Sequence, residues 1–408
     1  MLFKREKYLK KIRPFYHSDD IIKVITGVRR CGKSSLMEMI ADEIRQSNIG
    51  EDNIIYLDLD KRENRKIKTP DQLETLIESK IKNSGRKYLF IDEVQNVAGF
   101  EEVINGFRSD GEFSIFITGS NSYLLSGELI TKLTGRYLEF ELFTLSFEEY
   151  EQIKRFYGKP TNPNLSVELN QYIIEGGFPR TVQIDDLAAK RTYVTGVVNE
   201  IFEKDIRRRV KIKDKAAFET VRNYVINNFG ATTSINSLTK ALEKSGLRIT
   251  RATVAKYITA LVDAKILYEC NRFDMKSKKA LAGEKKYYLA DLSFYFAGNT
   301  DNRINFGPVL ENIVYVYSRS LDYSVSVGRI GKLECDFILR NNENEYSYVQ
   351  VAYTIMQSKE TENREYRLLE SVNDNYAKYV ATTDYMLQKR NGIKHINLME
   401  FMIKESNF

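Results

Sequence analysis

The chain has no tryptophan, two histidines (His17 and His395), three cysteines and six prolines in 408 residues. Two histidines speak against a zinc centre or a histidine-based catalytic triad. Cys31, Cys270 and Cys335 show neither metal-like nor disulfide-like spacing. No apolar run approaches the ~20 residues of a membrane span, so no membrane contact is expected. The charged start, Met1-Leu-Phe-Lys-Arg-Glu-Lys, lacks the apolar core of a signal peptide, and a cytoplasmic location is expected. A net charge of +6 is mild over this length. It permits an anionic partner without requiring one. What remains, 42% hydrophobic and 29% charged, is ordinary for a soluble protein with room for two or three domains.

Against that background one segment stands out. Gly27, Val28, Arg29, Arg30, Cys31, Gly32, Lys33 and Ser34 form the pattern G-x-x-x-x-G-K-[ST], and Ser35 follows. The apolar run 21–26 before it reads as a buried strand. Ser34 to Ile44 after it reads as a helix with Leu36, Met37, Ile40 and Ile44 on one face. Strand, loop and helix are the context a phosphate-binding loop needs. Its backbone N–H groups are expected to wrap the phosphates, with Lys33 on the β- and γ-phosphates and Ser34 on Mg²⁺. Tyr88-Leu-Phe-Ile-Asp92-Glu93 is an apolar strand ending in two carboxylates. Asp92 is expected to hold the Mg²⁺, and Glu93 to orient or deprotonate the attacking water. The expected cofactors are therefore ATP and Mg²⁺.

Strand patterns at 21–26, 53–59, 88–92, 113–119 and 137–143 alternate with helical patterns at 34–46, 70–82, 100–108 and 122–132. Alternation of this kind predicts a parallel sheet covered on both faces, with the site at the carboxyl ends of its strands. Ser120 and Asn121 follow the fourth strand and are candidates for sensing the γ-phosphate, unless they only close a turn. Arg136, after a glycine and opening the fifth strand, has three open readings. It is an arginine finger for a neighbouring subunit, a phosphate sensor in its own site, or an exposed arginine at a strand start.

Beyond residue 157 the pattern changes. Residues 146–156 read as a helix capped by Ser146, and two prolines follow in a linker. A helical region, 166–228, is interrupted by Glu175-Gly-Gly-Phe-Pro179, and its Lys204–Lys213 stretch is strongly basic. Helices near 216–228, 236–244 and 250–263 precede two strands, 266–273 and 285–290, joined by a basic tip. That order is the winged-helix pattern. Arg251, Thr253 and Lys256 would face DNA from the third helix, and the 276–286 hairpin, with Lys278 and Lys279, would contact its phosphates. A wing used only for protein contacts, or as a spacer, stays open. From Phe306 onward a helix, a hairpin, a third strand and a further helix and strand suggest another α/β unit. The expected divisions are a P-loop core (1–157), a helical lid or linker (158–213), a winged helix (214–298) and a last domain (299–408).

The motifs Gly27–Leu36, Leu89-Phe-Ile-Asp-Glu-Val-Gln95, Thr118-Gly-Ser-Asn-Ser, Thr134-Gly-Arg-Tyr, Leu145-Ser-Phe-Glu-Glu-Tyr, Glu175-Gly-Gly-Phe-Pro and Glu334-Cys-Asp-Phe run in order along nearly the whole chain. Together they resemble the prokaryotic AAA-type ATPases that carry a carboxy-terminal domain of restriction-endonuclease-like fold. The paired Arg29-Arg30 is specific to that resemblance. It implies nucleotide binding, a three-part architecture and homo-oligomers. It also implies a Mg²⁺-binding nuclease core with an acidic residue on one strand and E-x-K on the next. Glu311 and Asp336 match the first acidic positions. Gln350 and Ala352 stand where E-x-K would be, on one strand face, so the fold is expected to persist without cleavage. A displaced lysine such as Lys359 could stand in for the lost one, but nothing in the sequence supports it. The resulting expectation is a Mg²⁺-dependent ATPase whose nucleotide state drives a conformational change, with DNA a candidate target. The rivals are a slow nucleotide switch that recruits proteins, an ATP-gated nuclease, and a DNA-binding regulator.

Overall fold

The computed structural model describes residues 2–47, 49–119, 135–276, 279–298 and 303–408. Contacts divide the chain into two units, Met1–Leu142 and Phe143–Phe408.

The first unit is built on five strands: β1 (Ile22–Thr26), β2 (Ile54–Asp58), β3 (Lys87–Asp92), β4 (Phe113–Thr118) and β5 (Tyr137–Glu141). Their order is β2-β3-β4-β1-β5, and every pairing is parallel. The expected alternation is therefore present. β1, β3 and β4 are buried along their whole length, as a sheet covered on both faces requires. Side-chain alternation sorts the core into two layers. On one face Val24, Leu57, Ile91 and Ile117 pack with Leu73 and Ile77 of α3 (Pro70–Lys80) and Phe100 and Ile104 of α4 (Phe100–Ser109). On the other, Tyr56, Phe90 and Phe116 stack in a row with ring centroids 5.8 and 4.7 Å apart. Two more helices complete the unit, α1 (Glu6–Ile12) and α2 (Lys33–Gln46). The helix expected over 122–132 lies outside the described residues, as do Ser120 and Asn121.

The second unit opens with α5 (Phe147–Phe156), α6 (Leu165–Glu175) and α7 (Leu187–Ile201). Ser146 caps α5 in a reciprocal capping box with Glu149. Then come α8 (Lys215–Asn227), α9 (Ile235–Lys244) and α10 (Arg251–Asp263), the last capped by Thr250. The hairpin β6 (Leu267–Asp274) and β7 (Lys279–Leu289) follows, with α11 (Ser293–Gly298) and α12 (Phe306–Ser320) after it. The chain closes with β8 (Ser324–Ile330), β9 (Leu333–Arg340), β10 (Tyr346–Val351), α13 (Lys359–Ser371), β11 (Ala377–Thr382), β12 (Lys389–Arg390), β13 (Ile393–Asn397) and α14 (Leu398–Ile403).

The order of α8, α9, α10, β6 and β7 is the one expected, but the hairpin does not stand apart. β6 pairs in parallel with β8 through Arg272↔Val327, Phe273↔Gly328 and Asp274↔Arg329. The hairpin is thus the edge of an eight-stranded sheet, β12-β13-β11-β10-β9-β8-β6-β7, that runs across the division expected at residue 298. Hydrogen bonding to β8 satisfies backbone groups that a free wing would leave to water.

The turn Glu175-Gly-Gly-Phe-Pro179 is shaped by a buried acid. Asp291 accepts from the Gly177 N–H at 2.8 Å and from the Ser293 N–H at 2.9 Å. A Cβ on Gly177 would come within 2.4 Å of the Leu145 carbonyl oxygen, and one on Gly176 within 2.0 Å of Asp291 Oδ1. Only glycines leave room for that approach.

Candidate nucleotide-binding site

The site begins where β1 runs out of sheet. The loop leaves Thr26 through Gly27 (φ +143°), passes Arg30 (φ +69°) and enters α2 at Gly32 (φ +108°). A Cβ on Gly27 would lie 2.2 Å from the Leu142 carbonyl oxygen, which restricts that position to glycine. Lys33 is buried, and its ammonium donates to Gly27 O at 2.9 Å and Val28 O at 3.3 Å. Ser34 is exposed on the first turn of α2. Arg5, buried at the start of α1, props the loop by donating to Cys31 O at 3.3 Å. Cys31 is fully buried, and burial pushes its thiol above the usual range.

Parallel pairing brings the acidic end to the same level. The registers Ile91↔Ile117 and Ile25↔Thr118 set Asp92 beside Thr118 and both next to the loop's start. Asp92 is buried and accepts a hydrogen bond from Thr118 Oγ1. The same hydroxyl oxygen accepts from the Glu93 N–H at 3.1 Å. Glu93 sits in the left-handed region (φ +56°), a conformation that costs a non-glycine residue energy and turns its side chain out of the strand pattern. Its carboxylate takes a hydrogen bond from Gln95 Nε2 and lies 3.9 Å from Arg29 Nη2. Burial raises the Glu93 pKa, while the Lys33 and Arg29 charges oppose the rise.

Lys33 at the loop and Asp92 and Glu93 at the end of β3 lie on the same edge of the sheet, and Ser34 follows Lys33 on the first turn of α2. Thr118, which bridges Asp92 and Glu93, was not singled out. Its signal was a hydroxyl residue closing the apolar run 113–118, level with the acidic strand end. Arg5 had no local signal. Arg136 needs correction as a sensor in its own site. The register Ile22↔Tyr137 puts Arg136 at the amino end of β5, on the opposite end of the sheet from the loop. Five strand residues separate those ends by on the order of 15 Å. There it donates to Asn105 Oδ1 at 3.2 Å.

The Ser34 hydroxyl at the start of α2 and the Asp92 carboxylate at the end of β3 are the kinds of group that would hold Mg²⁺ beside a bound phosphate. That ion is usually held by few protein groups together with phosphates and water.

Comparison with known proteins matches this geometry. Residues 19–151 match the AAA domain family, and residues 166–301 match a domain of unknown function. An uncharacterized protein of Haemophilus influenzae is 33% identical over 407 residues, covering 99% of both chains. The chain belongs to the same family of AAA-domain proteins. An uncharacterized protein of Methanocaldococcus jannaschii is 30% identical over 355 residues, covering 85% of this chain and 78% of that one. Among solved structures, a Walker-type ATPase of Pyrococcus abyssi shares the fold with a TM-score of 0.52 at 16% identity. That match covers 72% of this chain and 95% of the other. No helix among the described residues is long and apolar enough to cross a membrane.

The second cluster expected of this AAA-domain protein is different in kind. Glu311 on α12 and Glu334 on β9 are joined by two cations from the hairpin, with Asp336 also on β9 and Gln350 on β10. Lys286 Nζ lies 2.9 Å from Glu311 Oε2 and 3.0 Å from Glu334 Oε1. Arg272 Nη2 lies 2.7 Å from Glu334 Oε2. Tyr288 donates to Glu311 at 3.0 Å. Burial works against the Lys286 charge, but Glu311, Asp336 and Glu334 outweigh it, so its pKa is raised. Burial, then the Glu311 charge, pushes the Asp336 pKa well up, and its Oδ2 accepts from the Val351 N–H at 2.8 Å. Lys359 is no part of the cluster; it is exposed and pairs with Glu362 at 3.0 Å.

These residues do not fit a resident Mg²⁺. Two of the carboxylates are already paired with Lys286 and Arg272, and Gln350 offers only a neutral amide where a further carboxylate is expected. Lys286, at the end of the 276–286 hairpin expected to contact DNA phosphates, turns inward instead, with its side chain 6% exposed. On α10, Arg251 is exposed while Lys256 donates to Lys211 O at 3.0 Å. Lys278 lies outside the described residues, and Lys279 opens β7.

Proposed function

We propose that this AAA-domain protein binds ATP with Mg²⁺ at the Gly27–Ser34 loop and hydrolyses it. The observation that carries the reading is the convergence of the loop before Lys33 with Asp92 and Glu93 at the carboxyl ends of β1 and β3, parallel strands that flank β4. The loop N–H groups and Lys33 bind the β- and γ-phosphates. Ser34 and Asp92 would hold a Mg²⁺ ion, which would supply positive charge against that developing on the phosphates. Glu93 orients a water and draws off its proton as the water oxygen bonds to the γ-phosphorus. The bond to the bridging oxygen breaks, leaving ADP and inorganic phosphate. Thr118 fixes the Asp92 carboxylate and the Glu93 backbone together.

Catalysis in a homo-oligomer is the second element of the reading. It is supported by the place of Arg136, which lies away from its own loop and remains available to a neighbour's site. The state of the nucleotide would then be transmitted to the second unit, with DNA or a protein as the target. Nuclease action is disfavoured by the ion pairs of Lys286.

The test is steady-state ATP hydrolysis with Mg²⁺, titrated with single- and double-stranded DNA at fixed salt, with Lys33→Ala as the blank. Turnover that vanishes in Lys33→Ala supports the reading; unchanged turnover in that variant defeats it. Stimulation by DNA favours action on nucleic acid. Indifference favours a nucleotide switch that recruits proteins.

A further inference from the structure

Three helices of the second unit, α7, α8 and α11, leave a cleft of about 170 Å³ between them. That is far more than the ~10–15 Å³ one water needs. Its floor is apolar, with Ile226 of α8 and Phe294 of α11 both buried. Its rim carries the amides of Asn199 on α7 and of Asn223 and Asn227 on α8, all exposed. Among the described residues that line it, Arg222 of α8 is the one that carries a charge. Arg222 is half-buried, and its Nε donates to Asn223 Oδ1 at 3.1 Å. Its terminal nitrogens, Nη1 and Nη2, make no hydrogen bond or ion pair among the described residues. The single acid of α8, Glu219, sits a turn earlier and lies 3.9 Å from Lys215 instead. Burial pushes the Arg222 pKa below its ordinary value, and the Glu219 charge opposes that only in part.

Keeping a charge from water without a counter-ion costs stability, and an apolar side chain would fill the same space without that cost. The guanidinium fork is matched to an oxyanion, two donors to two acceptor oxygens. Charge counting selects which oxyanion. One cation balances one negative charge, and the rim adds only neutral amides. A carboxylate is matched there, whereas a phosphate dianion is left with excess charge.

We infer that this cleft is a binding site for a carboxylate, which takes the Arg222 fork through Nη1 and Nη2 while its stem lies on Ile226 and Phe294. The carboxylate belongs either to a small free acid or to an acidic side chain of a protein; the chemistry at Arg222 is the same. No part of the inference depends on the nucleotide site.

Ligand-observed NMR on the full-length, nucleotide-free protein at constant ionic strength reads the weak binding expected of one charge-assisted contact. The probes are propionate and N-acetyl-glutamate amide, their neutral counterparts propionamide and N-acetyl-glutamine amide, and inorganic phosphate. Both acids are expected to bind wild type in preference to the neutral probes and to phosphate. Arg222→Gln weakens the acids on the order of tenfold or more. Arg222→Lys loses less, since it keeps the charge without the fork. Propionate binding at least as tightly as the glutamate probe identifies a free acid as the source, and tighter binding of the glutamate probe identifies a protein side chain.

Four results overturn the inference: neutral probes that bind as well as the acids, acid binding unchanged in Arg222→Gln, phosphate that binds more tightly than both acids, and no binding of either acid. Stability gives an independent reading. Arg222→Met keeps the bulk and removes the charge, so its denaturant midpoint without ligand is expected to equal or exceed that of wild type. A midpoint well below wild type, or a variant that does not fold, marks an arginine that the fold itself needs and equally overturns the inference.

Discussion

The ammonium of Lys286, on a hairpin strand, lies 2.9 Å from Glu311 Oε2 on α12. It occupies the middle of a carboxylate cluster where the family resemblance implies a metal ion. Lys286→Met leaves Glu311 and Glu334 with less compensation in a buried site. Breaking a buried pair from one side costs ~3–5 kcal/mol. The double variant Lys286→Met/Glu311→Gln removes both charges and is expected to be more stable than Lys286→Met alone. Denaturant melts of the three proteins check this. Wild-type melts without nucleotide are expected to ignore Mn²⁺; a Mn²⁺-dependent stabilisation abolished by Asp336→Asn would contradict the account.

Glu93→Gln is expected to keep nucleotide binding and to lower turnover by about 10²-fold or more, as loss of a general base does. Normal turnover would mean that another group handles the water. Mixing Glu93→Gln with Arg136→Ala tests a shared site. Recovery of activity places Arg136 on a neighbour's nucleotide, and no recovery removes it from catalysis.

Glu43 ties α2 to the amino terminus. It accepts from Arg13 Nε at 2.9 Å, Arg13 Nη2 at 2.8 Å and Tyr16 OH at 2.9 Å. The Arg13 hydrogen bonds, against some burial, lower its pKa from 4.5 to about 2. A depressed acid stabilises the fold above its unfolded pKa and loses that contribution as pH falls through the folded value. Wild type should therefore exceed Glu43→Gln by ~1–2 kcal/mol at neutral pH, a modest sum for a half-solvated pair. The gap should close between pH 4.5 and about 2. A gap independent of pH in urea melts would refute the charge-based origin.

Gly177→Ala forces a methyl group against the Leu145 carbonyl, and Asp291→Ala strands the Gly177 and Ser293 N–H groups. Each is expected to cost ~2–3 kcal/mol through overpacking or unpaired buried donors. Thermal unfolding of the variants measures it. Gly196→Ala, where a Cβ meets nothing within 4 Å, serves as the control.

The loop from Gly27 to Ser34, the acidic strand end at Asp92 and Glu93, and the five parallel strands were legible because each is a local pattern. Spacing, an apolar run and its end are properties of neighbouring residues. The caps at Ser146 and Thr250 were legible for the same reason. The glycine pair at 176 and 177 was legible as a turn, but its cause, Asp291, lies 114 residues beyond Gly177.

Pairings across the sheet decided what local patterns left open. Thr118 gains its place beside Asp92 only from the β3–β4 register, and Arg136 loses its place at its own loop only from the β1–β5 register. Lys286 sits in a basic hairpin and reads as a surface contact until β6 joins β8 and α12 brings Glu311 to it. A lysine's local sequence carries its charge but not its dielectric surroundings. Whether that charge meets water, a phosphate or two buried carboxylates depends on chain segments brought together by sheet formation. The sequence alone determined the phosphate loop and the alternating α/β core. Tertiary structure determined which charges face the ligand and which are consumed inside the fold.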